Sequence, residues 1–150
     1  MPEIDPRVTA FRKAVQVLQA DPAIRRTVEK WHIWDGSATS DDPLPAGMTT
    51  VRLTPFAEAE EDYALLGGGK RSVRSPVLVR VESRTRGLFN MESPVNLHGY
   101  IEEALATPEA TAALRAAGVS WVEYVTPPDP STLAEETAMS AFRLMVFIQR

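Results

Sequence analysis

The chain has 150 residues, 44% apolar and 24% charged, which suits one globular domain able to bury its own core. It contains no cysteine, and that excludes disulfides, thiolate metal sites and a cysteine nucleophile together. A net charge of −4 disfavours nucleic-acid binding by the surface as a whole, and no apolar run approaches the roughly 20 residues that span a bilayer.

The opening, Met1-Pro2-Glu3-Ile4-Asp5, is neither basic nor apolar, so no signal peptide is expected. Four helix starts are marked by a side-chain oxygen followed by proline: Asp5-Pro6, Asp21-Pro22, Ser93-Pro94 and Thr107-Pro108. The first residue of each pair can accept from an orphan helix N–H, and proline at the first helical position lacks only an N–H that has no partner there. After Pro6, Val8, Phe11, Val15 and Leu18 recur at the spacing of one buried helical face. A short second helix after Pro22 buries Ile24 and Val28. Trp31 to Trp34 reads as a brief strand, followed by a polar Pro/Asp loop to Gly47.

Thr49 to Thr54 and Pro76 to Thr85 both alternate apolar with polar residues, the second placing Val77, Val79 and Val81 against Leu78, Arg80, Glu82 and Arg84. A third helix repeats Leu97, Ile101 and Leu105, and a fourth from Glu109 to Ala117 stops at Gly118. Val119 to Val125 reads as a strand with Trp121 among its inward residues. After the break at Pro127-Pro128-Asp129-Pro130, the last strand, Ala138 to Gln149, sets Phe142, Leu144, Val146 and Ile148 on one face and Met145 and Phe147 on the other. Strands adjacent in sequence pair most simply as antiparallel hairpins. The expected fold is therefore a single α+β domain over 1–150, a two-layer sandwich with a mostly antiparallel sheet of about four strands. Its helices lie on one face, and a long protruding hairpin arm spans about 56–75.

That arm is the segment richest in charge. It runs out through Glu58, Glu60, Glu61 and Asp62, crosses Gly67-Gly68-Gly69, and returns through Lys70, Arg71 and Arg74 toward Arg80, Arg84 and Arg86. A phosphate loop is not expected there: Ala64 stands where its first glycine belongs, Arg71 replaces the Ser/Thr that would hold magnesium, and a strand follows instead of a helix. The carboxylates lack the Asp/Asn/Gly alternation of a divalent-ion loop. His32 and His98 fall on separate elements without metal spacing, and read as surface or partly packed residues. No catalytic, metal or cofactor site is expected, nor enzymatic activity. The opposite charges on the two halves of the arm suit contact with other copies or with a polyanion, through Glu58, Glu60, Glu61, Asp62, Lys70, Arg71, Arg74, Arg80 and Arg84. On the arm, Phe56 and Tyr63 are the only aromatic residues that could stack bases, which weakens a single-strand-binding reading.

Taken in order, the elements resemble the layout of tail terminator and tail-completion (neck) proteins of long-tailed bacteriophages and related gene-transfer particles. The likeness is carried by the N-terminal helix, Trp31-His32-Ile33-Trp34-Asp35, the loop with Pro43-Leu44-Pro45, the strand Thr49–Leu53 and a long hairpin. The strand Val77–Arg86, the helices Val95–Leu105 and near Pro108, Gly118-Val119-Ser120-Trp121 and the strand Ala141–Ile148 complete it. It covers almost the whole chain, in layout and not in a diagnostic motif. The resemblance implies a structural virion protein at the tail neck, assembled in the cytoplasm of a bacterial host. It would form a homo-oligomeric ring, usually of six copies, that ends the tail tube and joins it to the head connector. Its partners would be itself, the tail tube protein and a connector or stopper protein, with DNA met only in passage through the lumen, toward which Arg84 and Arg86 could face. A head-completion or stopper protein, or a small nucleic-acid-binding module using the basic arm, are the alternatives.

Overall fold

The computed structural model describes residues 4–36, 42–45, 47–63, 72–85, 94–126 and 137–149. Among the described residues, four helices and seven strands are formed, in the order α1 (Pro6–Ala20), α2 (Pro22–Thr27), β1 (Lys30–Ile33), β2 (Thr50–Ala57), β3 (Glu61–Tyr63), β4 (Ser72–Arg74), β5 (Val77–Arg84), α3 (Pro94–Leu105), α4 (Pro108–Ala116), β6 (Val119–Thr126) and β7 (Thr137–Gln149). The fold is α+β, as expected, with a sheet that is mostly antiparallel.

The proline starts act as their chemistry requires. The Asp5 carboxylate accepts from Arg7 N–H at 2.9 Å, Asp21 from Ala23 and Ile24 at 3.0 and 3.1 Å, and Thr107 Oγ1 from Ala110 N–H at 3.1 Å. Asp21 works twice, since its own N–H donates to Leu18 O and closes α1 while its side chain opens α2. Gly118 follows the end of α4 with φ +94°, a left-handed turn that a side chain would strain. Ser93, the fourth expected cap, lies outside the described residues.

The strand order is β1-β2-β5-β7, with β6 on the other side of β7. Strands β4 and β3 continue the lines of β5 and β2: β4 pairs with the end of β7, and β3 pairs with β4. Ser75 N–H donates to Val146 O at 2.7 Å and Glu58 N–H to Pro76 O at 3.1 Å, so the ladder survives the break that Pro76 makes between β4 and β5. The residues at the base of the expected arm thus belong to the sheet, β3 pairing with β4 and β4 with β7. The arm's triple glycine, with Lys70 and Arg71, lies outside the described residues, as do Arg86 and the Pro127–Pro130 break.

Three expectations are corrected. The sheet has seven strands instead of about four, because the arm's base extends it and the edge strands at both ends complete it. Strands β1 and β2 are consecutive yet parallel, with Lys30 opposite Thr50 and Ile33 opposite Leu53. Their connection, from Trp34 to Thr49, is long enough to carry the chain back to the same end, which a tight hairpin cannot do. Trp121 points out, 45% exposed, because a register shift between Val119 and Trp121 breaks the simple alternation of β6.

Val51 and Leu53 of β2, Val77, Val79 and Val81 of β5, Val119 of β6, and Phe142, Leu144 and Val146 of β7 form one cluster. They pack with Phe11, Val15, Leu18 and Ile24 of the first two helices and with Leu97, Ile101, Leu105 and Leu114 of the last two. Each fully buried Leu, Val or Phe side chain contributes about 1.5–3 kcal/mol through removal from water. Leu144, at the centre of β7, has no exposed surface, whereas Leu78 on the other sheet face is half-buried. Leu144→Ala should therefore cost about 2–5 kcal/mol in urea unfolding, and Leu78→Ala less than half of that. Equal losses at the two positions would contradict this assignment of faces.

Candidate interaction surface

The second face of the sheet is built from the alternate residues of the same strands. Across its middle run Arg52 of β2 and Glu82 of β5, which are register partners; Arg80 lies two residues from Glu82, opposite Thr54 and Ala141. The two Glu82 oxygens each hold one guanidinium, Arg52 through Nη1 at 2.9 Å and Arg80 through Nε at 2.9 Å. Arg52 is buried and also donates to the carbonyl of Asp42, while Arg84 donates to the carbonyl of Leu44 at 3.0 Å. The loop that returns the chain from β1 to β2 is thereby fastened to this face by arginine donors.

A second network lies toward β6. Arg143 of β7 makes a two-point contact with Glu58, at 2.5 and 3.0 Å, and its Nη1 reaches Glu123 of β6 at 2.9 Å. The hydrogen bond to Glu58, then that to Glu123, raises the pKa of Arg143 above its ordinary value. Glu123 is held below the usual carboxylate range chiefly by its bond to Arg143, aided by Trp121 Nε1 at 3.3 Å. Between the two networks lies a shallow apolar depression of about 350 Å³ lined by Phe56, Leu78, Met139 and Ala141, with Arg80 over the Phe56 ring at 5.2 Å. Phe147 and Trp121 extend the apolar surface, their rings 5.8 Å apart.

Several residues singled out in the sequence meet here. Glu58 and Arg80 sit in the two networks, and Arg84 anchors the loop. In the β3–β4 ladder Glu61 is the backbone register partner of Arg74, and Asp62 that of Val73. Glu60 is near enough to Arg7, at the start of α1, to raise its pKa, after the larger effect of the Asp5 hydrogen bond. Arg52, Glu82, Glu123 and Arg143 complete the networks and were not singled out. Their signal was present, since each takes the polar place in an alternating strand, but a partner across strands is invisible until the register is known.

His98 also departs from the sequence reading. It is buried, 3% exposed, and its ring bridges Ser83 of β5 at 2.7 Å (Nε2) and Ser140 of β7 (Nδ1), pinning α3 onto the two central strands. The spacing could have revealed it, because His98 stands three and seven residues before Ile101 and Leu105 on one helical face. Ser83 is as buried as the histidine, whereas Ser140 is partly exposed at the depression on the second face, and the trio forms a hydrogen-bonded strut between helix and sheet. Among the described residues, no three His, Cys, Asp or Glu side chains come together in a way that could hold a metal ion.

Compared with known families and with curated proteins, the chain matches no family model and no curated sequence.

Burial lowers the His98 pKa to about 4. The unfolded chain takes up its proton near the ordinary value of about 6.5, whereas the fold does so only near 4, so the unfolded state binds more protons between them. The stability this provides is complete above the ordinary histidine range and lost as pH falls toward 4. Between pH 7 and 4, wild-type protein should lose up to about 3 kcal/mol more unfolding free energy than His98→Gln, which keeps a hydrogen-bonding side chain but cannot titrate. Parallel pH profiles for the two proteins would refute this.

Proposed function

We propose that this chain is the subunit of a structural ring of the tail terminator class, which ends the tail tube of a long-tailed phage-like particle and joins it to the head connector. The observation that carries this reading is the second sheet face: apolar residues framed by arginine–carboxylate networks that are already locked in place before any partner arrives. Side chains held in this way lose little further entropy on association, and Arg with aromatic and Met side chains is the composition that protein contacts favour. The order of elements along the whole chain supports the same class.

A nucleic-acid-binding module is the weaker reading, because Arg52, Arg80 and Arg143 spend their charge on Glu82, Glu58 and Glu123 within the chain. Such a module would release many counterions and bind with a steep dependence on salt. A stopper or head-completion protein would use the same surface but would bind the portal side instead of the tube.

Electron microscopy of the purified protein mixed with tail tubes from the same particle should reveal annular caps at tube ends. Charge reversal at Lys70, Arg71 and Arg74 should reduce capped ends while leaving the circular dichroism spectrum unchanged. Bare tube ends with wild-type protein in excess would overturn the proposal.

A further inference from the structure

The sheet has two ends, and they differ. At one end β6, eight residues long, pairs with β7 on one side and with no strand on the other among the described residues. Long free edges are usually blunted because their unpaired N–H and C=O groups recruit other strands. This one instead presents Trp121, Tyr124 and Val125, each at least 40% exposed. Beside it runs a groove of about 230 Å³ between β6 and the helices, lined by Leu105, Leu114, Val119 and Val122. At the other end β1 pairs only with β2 among the described residues, and its Trp31 and Ile33 are partly buried against the core.

The charges flanking the two edges are opposite. Near β6 stand Glu102 and Glu103 of α3 and Glu109 of α4, all exposed, with Arg115 as the one basic residue lining the groove. The Tyr124 hydroxyl donates to the Glu102 carbonyl at 2.9 Å, which holds this part of α3 against the edge strand. Near β1 stand Arg25 and Arg26, exposed on the helix that leads into the strand, and Lys30, exposed at its first position. The acids at that end are Glu29, whose carboxylate accepts from the Thr49 N–H at 2.8 Å, and Asp35, exposed two residues beyond the strand, so Arg25, Arg26 and Lys30 leave the edge basic on balance. A symmetric contact between two β6 edges would bring like charges together. Contact of the β6 edge with the β1 edge of another copy brings acid to base.

Resting on the ring reading above, we propose that the β6 edge of one copy pairs with the β1 edge of the next, so that the sheet continues from subunit to subunit around the ring. Main-chain hydrogen bonds supply the pairing, and the flanking charges fix which edges meet. Because the contact joins different surfaces of identical subunits, it repeats head to tail and closes when the rotation per copy divides a full turn.

The test uses two full-length variants altered only at exposed positions, Glu102→Lys/Glu103→Lys and Arg25→Glu/Arg26→Glu, with their fold checked by circular dichroism. In sedimentation velocity each alone should associate about a hundredfold or more weaker than wild type, because like charges then meet at every contact. Mixing the two variants, or combining all four changes in one chain, should restore the wild-type oligomer, since acid again meets base. Variants that assemble as wild type, or a mixture that stays dissociated, overturn the edge contact and leave the ring reading intact. Wild-type protein that remains monomeric both alone and with tail tubes overturns the edge contact and the ring together.

Discussion

The structure depends on one strand. β7 pairs with β5 over its first eight residues, with β4 over its last three, and with β6 on its opposite edge. Every other part of the sheet is placed through those ladders, and the helices meet it through Phe142, Leu144 and Val146 on one face. Because successive side chains alternate, the same strand delivers Arg143 and Met145 to the other face. A slip of one residue would bury the guanidinium in the helix layer and expose the core leucine. The His98 strut reinforces the register by tying α3 to Ser83 and Ser140 on two neighbouring strands.

Val51, Leu53, Val77, Val79, Val81, Phe142, Leu144 and Val146 pack with helix residues, and the ion-pair networks lie on the alternate residues of the same strands. The charged groups there are organised in pairs and triplets: Glu82 holds two arginines, and Arg143 holds two glutamates. Such networks hold side chains in fixed positions around an apolar depression. The proposed ring uses this surface together with the two edges, and the opposite charges flanking β6 and β1 make the proposed contact directional. Directionality is what turns pairwise association of identical subunits into a closed assembly.

Much of this was legible in the sequence, because local signals act locally. Asp-Pro and Thr-Pro placed helix starts to within a residue, Gly118 marked a stop, and the valines of β5 declared their face by alternation alone. What escaped depended on relations between distant segments. Nothing local says that β1 runs parallel to β2, that Pro76 interrupts a strand without ending its ladder, or that Glu58 will meet Arg143 across 85 positions. Trp121 was misplaced because alternation assumes an unbroken register, which the shift after Val119 removes. His98 was underestimated as a polar residue, although its helical spacing matched the core.

If the surfaces left open by the fold serve closed association of identical copies, native mass spectrometry of the purified protein over a rising concentration series should show it. Monomer should give way to one dominant closed stoichiometry with few intermediates. Monomer alone at every concentration, or an unbounded ladder of sizes, would contradict it.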